Sequence, residues 1–228
     1  LFKGFYKVVP HNNKHNAGQS KNVKERLLDA AERLFCSRGF KGTSVRDIAA
    51  SAGCNIASVN YYFGSKEKLY EEVWRRHLIP MRDARISSIN KVMSKAGAPP
   101  NLEDLLRSFA DTFVGSMVDT SRSSQLGKLM AREYIDSHLP TDMFVNEVMM
   151  PTITAMRSAL VKTCPDLNES KIMPVVFSLI GQLVHLVHVK TMFEQSGDAL
   201  DLPVFDFNEI IDHIVTFSAA GIRAYSGK

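Results

Sequence analysis

Cysteine is scarce in this chain. Its 228 residues hold three, Cys36, Cys54 and Cys164, widely spaced and odd in number. That count excludes a disulfide framework and a cysteine-built zinc site, and it suits a reducing cytoplasm. Long apolar runs are missing too: none approaches the roughly 18 residues that a membrane-spanning helix needs, so no membrane partner is expected. The first twenty residues, LFKGFYKVVPHNNKHNAGQS, lack the apolar centre of a signal peptide and read as a flexible basic arm. Enzyme signatures are absent as well, with no G-x-S-x-G elbow, G-x-x-x-x-G-K phosphate loop, dinucleotide fingerprint or H-E-x-x-H. No catalytic residue, cofactor or metal is therefore expected. Alternating strand patterns, repeats and low-complexity tracts are lacking, which leaves an all-α chain.

What is present is divided unevenly. Residues 1–76 carry 14 Lys and Arg against 7 Asp and Glu, whereas residues 77–228 carry 14 against 17. A small basic part beside a larger, mildly acidic one suggests that only the first meets a polyanion. The expected organisation is an arm over 1–20, a small helical domain over 21–76 and a larger helical domain over 77–228.

Helical spacing marks the small domain. Leu27, Leu28, Ala31, Leu34 and Phe35 predict a helix over about 22–38. Ser44 followed by Asp47 resembles a capping box and opens a helix over about 45–52, which Gly53 ends. Asn55 is a suitable N-cap for a third helix over about 56–62. Ser65 caps a fourth, which Pro80 should kink or end. Three short helices joined by tight glycine turns, the last one polar, make a helix-turn-helix. On that last helix Val59 and Phe63 share an inward side, and Ala57, Ser58 and Tyr61 lie opposite, flanked by Ile56, Asn60 and Tyr62. Hydroxyls, an amide and small apolar groups suit base edges and thymine methyls. No Asp or Glu occurs from 55 to 65. Lys66 follows at the next helix start, where backbone N–H groups also favour an anion.

The stretch TSVRDIAASAGCNIASVNYYFGSKEKLYEEV, residues 43–73, resembles the DNA-binding signature of the TetR/AcrR family of bacterial transcription regulators. The match extends back through LLDAAERLFCSRGFKGTS. NIASVNYYFGSKEKLY, PTITAMRSAL and SLIGQLVH further resemble the YbiH (CecR) branch. The resemblance implies a homodimeric repressor on a double-stranded, pseudopalindromic DNA operator, released by a small hydrophobic or amphipathic effector. Control by a protein partner, or by dimerisation alone, is the alternative. It implies phosphate contacts from Ser44, Ser58, Tyr61, Tyr62 and Lys66, and base contacts from Arg46, Ile56, Ala57 and Asn60. Tyr62 stands where many members have His, which should preserve a phosphate donor; Asn60 stands where many have Tyr, so base preference does not transfer. Lys3, Lys7, Lys14 and Lys21 could track phosphates or simply decorate an inert arm.

Beyond residue 77 the resemblance implies effector binding and dimerisation. All ten methionines lie at or beyond Met81, which suits an adaptable pocket or an ordinary core. Leu102, Leu105, Leu106, Phe109, Phe113 and Met117 predict one helix. Others are expected over about 123–137, 142–163 with a break at Pro151, 171–195 with Pro174 in its first turn, and 207–225. The 171–195 helix is apolar on most sides and so needs partners on two. It should pair with 207–225 and their symmetry mates, with Gly181, Leu183 and Ile214 in the interface. His185 and His188 are spaced i, i+3 but lack a neighbouring carboxylate or cysteine, so a metal is not expected. Glu133 falls amid the apolar face of Leu126, Leu129 and Met130. It either forms an internal pair, with His185 for example, or lines an effector cavity walled by Phe113 and Met130.

Overall fold

Helix follows helix through the chain. The computed structural model describes residues 14–95, 100–118, 120–196 and 206–226, and there is no strand among them. The elements are α1 (Lys14–Arg38), α2 (Val45–Ser51), α3 (Ile56–Phe63), α4 (Lys66–Met93), α5 (Leu102–Val118) and α6 (Thr120–Ile135). They continue with α7 (Thr141–Met143), a π-helical turn (Phe144–Met149), α8 (Met150–Thr163), α9 (Glu169–Ser196) and α10 (Phe207–Ala224). The first thirteen residues of the expected arm, Lys3 and Lys7 with them, lie outside the described residues. From Lys14 the backbone is already α1.

Two units form. One comprises the chain up to Val73 together with 131–138; the other comprises 74–130 and 139–228. In the first, Leu27, Ala31 and Phe35 of α1 recur at helical spacing and are buried with Ile48, Val59, Phe63, Leu69 and Tyr70. Punctuation between the helices is chemical. The Ser44 hydroxyl accepts the Asp47 N–H at 3.1 Å, and the Asp47 carboxylate accepts the Ser44 N–H at 3.1 Å. These reciprocal bonds satisfy donors that the start of α2 would otherwise strand. Gly53 turns the chain from α2 toward α3 at φ 61°, a conformation that costs glycine least. At Gly42 a Cβ would lie 2.4 Å from the Arg38 carbonyl oxygen, so no larger residue fits without a backbone shift.

The core of the second unit is built from Ile89, Leu105, Phe109, Phe113, Ile153, Met156, Leu160, Leu179 and Ile222, with neighbours on α4, α5, α8, α9 and α10. Three prolines behave differently from expectation. α4 does not end at Pro80 but continues to Met93. Pro80 is on the exposed face, where water can reach the carbonyl it strands. Pro174 sits beyond the first turn because α9 begins earlier, at Glu169. The helix is not broken at Pro151 either. The backbone widens into the π turn just before it, and Arg82 Nη1 donates at 2.8 Å to the Glu147 carbonyl. That carbonyl is the one the proline nitrogen cannot serve.

The expectation of no long apolar helix also needs correction. Residues 169–190 of α9 have the length and mean hydropathy, 1.9, to cross a membrane by composition alone. Ile172, Val176, Leu179, Leu183, Leu186 and Val187 contribute to that character by filling the second unit's core. Met173, Phe177 and Val184 contribute to it on the exposed side.

Candidate nucleic-acid interface

α3 is anchored by its own periodicity. Val59 and Phe63 are buried, and the Asn55 side chain accepts the Ala57 N–H at 2.9 Å, fixing where the helix starts. What remains faces out. Ala57 and Asn60 are exposed, Ile56 is 41% exposed and Tyr61 is 82% exposed. Ser58 and Tyr62 are half-buried, and the Tyr61 and Tyr62 rings meet edge to face with centroids 5.0 Å apart. Arg46 projects from α2 into solvent. The exposed groups can donate to phosphate oxygens or reach base edges, and α3 carries no carboxylate to oppose them.

Ser44 and Lys66 are more occupied than their sequence positions suggest. The Ser44 hydroxyl donates to the Asp47 carboxylate at 2.6 Å, and this bond, with the Ser44 backbone N–H, holds the Asp47 carboxyl below the usual range. Lys66 Nζ donates to the carbonyls of Phe40 and Thr43, both at 3.1 Å, and lies 4.0 Å above the Phe40 ring. Two of its three protons therefore brace the turn between α1 and α2. The carbonyls are fixed close by, whereas a phosphate would have to displace them.

The same turn is gripped by the last turn of α6, which sequence spacing did not assign to this unit. Arg132 donates to the Cys36 carbonyl at 3.1 Å and the Ser37 carbonyl at 2.6 Å, satisfying acceptors at the end of α1. Lys41 pairs with Asp136 at 2.8 Å, and Phe40 packs on His138 with centroids 4.5 Å apart. Glu133 accepts from the Tyr70 hydroxyl at 2.7 Å, the Ser137 hydroxyl at 2.9 Å and the His138 N–H at 2.6 Å. Its carboxylate is thus engaged within the first unit. His185, the other partner considered for it, is exposed on α9.

Phe113 and Met130 belong to the second unit and Glu133 to the first. Phe113 is buried and Met130 is 42% exposed. An open cleft of about 490 Å³ is lined by Asp111, Val114, Lys190, Phe207 and Ile211 among others, and by none of that trio. Leu183 and Ile214, expected at a dimer interface, are instead buried in this unit's own core. Helical period puts Leu183 with Leu179 and Leu186 on the inward side. Gly181 is exposed with open space beside it. It lies in line with exposed Met173, Phe177 and Val184, while Phe217 of α10 is 61% exposed. Sequence reasoning also passed over Arg85. Its signal was a cation one turn from both Met81 and Ile89 on an inward face.

Comparison with known proteins agrees with this arrangement. Residues 27–73 match the family model for bacterial regulatory proteins of the tetR family. Residues 102–222, more than half of the chain, match that for the C-terminal domain of the HTH-type transcriptional dual regulator CecR. The HTH-type transcriptional repressor KstR2 of Mycolicibacterium smegmatis is 37% identical over 95 residues, 42% of this chain and 43% of that one. The dual regulator CecR of Shigella flexneri is 48% identical over 52 residues, 23% of each chain. This chain spans only about a quarter to two fifths of the length of such curated relatives. Among solved structures, a TetR family transcription regulator from Marinobacter aquaeolei superposes with a TM-score of 0.62 at 17% identity, covering 90% of this chain and 98% of that one. The fatty acid degradation regulator FadR from Bacillus halodurans gives 0.59 at 15%, covering 88% and 96%. These two establish the fold. The chain belongs to the TetR family, a family of transcription regulators rather than enzymes, and carries a C-terminal domain of the CecR kind.

Proposed function

We propose that the chain is a cytoplasmic transcriptional repressor that binds a pseudopalindromic operator as a homodimer and releases it when a small hydrophobic or amphipathic molecule enters the second unit. The observation that carries this reading is the outward face of α3. It is short, capped, free of acids, and presents Ala57, Asn60 and Tyr61 to solvent from a buried anchor. Such a helix fits the major groove, with Ser58, Tyr61 and Tyr62 supplying donors to phosphates and Arg46, Ile56, Ala57 and Asn60 reading bases. The likeness to KstR2, named a repressor, supports the sign of the effect.

Dimerisation finds support in the apolar stripe of Met173, Phe177 and Val184, with Gly181 in line, and in Phe217. A second copy would cover them. The test is nuclease protection of the DNA flanking the gene. Two half-sites separated by roughly 34–36 Å, or a multiple, are expected in the protected region. No protection at low salt, where phosphate contacts are strongest, overturns the reading.

A further inference from the structure

We propose that Arg85 and Phe113 form the polar anchor of the effector site, and that the effector is an amphipathic carboxylate whose head group docks on the Arg85 guanidinium. The inference rests on the effector-release reading above and narrows it to a charge class.

Arg85 is an arginine out of place. It lies on α4 one turn from Met81 and one turn from Ile89, both buried. Its guanidinium carbon sits 3.9 Å from the centre of the Phe113 ring, which in turn packs against Phe109 with centroids 5.9 Å apart. Its Nε is sealed from solvent and has no acceptor. Among the described residues no carboxylate, carbonyl or hydroxyl pairs with this side chain. Burial without a counter-charge pulls its pKa down to about 10. Other arginines of the same helix are treated differently. Arg75 grips the Glu147 carboxylate with two bonds of 2.8 Å, and Arg82 bonds the Glu147 carbonyl and Asp83. Cation and ring attract each other, but the ring satisfies none of the five N–H donors. A fold that gained only stability from this position would place an apolar side chain there.

The missing partner has a definable chemistry. With one face of the guanidinium on Phe113, its edge is left for acceptors lying in its plane. A carboxylate meets that edge with two parallel hydrogen bonds. The charges also balance: one carboxylate neutralises one guanidinium. A phosphate monoester carries nearly two negative charges at neutral pH and would leave a buried excess. Buried Met81, Ile89 and Phe109 on the adjoining helical turns require the remainder of the molecule to be apolar.

The experiment uses the intact chain without DNA, titrated calorimetrically with dodecanoate, dodecanol and dodecyl phosphate below their micelle thresholds. Dodecanoate should bind at least tenfold more tightly than either alternative. Arg85→Met should erase that preference and, without ligand, raise the melting temperature by relieving the unpaired charge. Arg85→Lys keeps the charge without the fork and should retain a weakened preference, which keeps the idea testable should the Met variant not fold. Equal binding of acid and alcohol, tighter binding of the phosphate, or an Arg85→Met protein that melts lower yet still prefers dodecanoate overturns the assignment. Failure here with an intact operator footprint sinks this inference alone. Anion binding with no footprint sinks the repressor reading alone.

Discussion

The Tyr70 hydroxyl lies 2.7 Å from the Glu133 carboxylate, joining α4 to the last turn of α6 across 63 positions of sequence. Tyr70 is itself buried, with its ring 4.9 Å from that of Phe35. Removing either end leaves the other short of a partner. Tyr70→Phe and Glu133→Gln should each lower stability by about 1–3 kcal/mol. The double variant should lose less than the sum, by about 0.5 kcal/mol or more. Denaturant titration of the four proteins measures this coupling. Full stability in Glu133→Gln, with loss of the effector response, would return Glu133 to the effector site.

Lys66→Ala separates a brace from a phosphate contact. Loss of two carbonyl bonds and the contact with Phe40 should lower stability by about 1–3 kcal/mol. Operator affinity should fall for all sequences alike while its dependence on salt stays unchanged. A direct phosphate contact would instead make the logarithmic salt slope shallower by about 0.9. Fluorescence anisotropy at several salt concentrations distinguishes the two.

Asn60→Ala and Arg46→Ala should change preference at particular base pairs, by about 1–3 kcal/mol each. Tyr61→Phe should weaken binding evenly by removing a phosphate donor. A panel of single-base operator variants reads the difference. Even weakening by all three substitutions would remove the case that α3 reads bases.

Phe177→Glu combined with Phe217→Glu should give folded monomers by sedimentation, because both side chains are exposed in the single chain. Leu183→Glu should unfold the chain instead, since Leu183 has no exposed surface. Soluble dimers carrying the paired substitutions would place the interface elsewhere.

Acid should weaken the second unit through Glu147. The Arg75 fork holds its carboxyl below the ordinary value of 4.5. A carboxyl depressed in the folded state stabilises fully above its unfolded pKa, and that contribution is lost as pH falls through the folded value. Melting of the wild type should therefore decline below pH 4.5 more steeply than that of Glu147→Gln, which should be the less stable protein at pH 7. Parallel declines would show that this pair contributes nothing to acid sensitivity.

The outward face of α3 could be read from sequence because its 3.6-residue period and polar residues point to the same side. The stripe from Leu102 to Phe113 was equally plain. Composition did not reveal direction where both sides of a helix are apolar, as on α9, where Leu183 turns in and Phe177 turns out. Charge alone left two side chains underdetermined. The sequence suggested a phosphate contact for Lys66 and could not show the backbone carbonyls of Phe40 and Thr43 within its reach. Arg85 drew no attention, although its register one turn from Met81 and Ile89 sets it against the Phe113 ring. The π turn before Pro151 was invisible because it depends on Arg82, nearly seventy positions away.

The first unit is discontinuous in the chain, and this has a bearing on biosynthesis. Its α1–α2 turn is completed by Arg132, Asp136 and His138, and its share of α4 is bonded by Glu133. These residues leave the ribosome long after Val73. At about 5–20 residues per second the delay is roughly 3–13 s. During that time the nascent helix-turn-helix lacks the Arg132 bonds that close the end of α1, so it waits in a loosened form. Affinity for DNA would mature only when the chain has grown past His138, so a polypeptide arrested earlier would emerge basic but poorly folded.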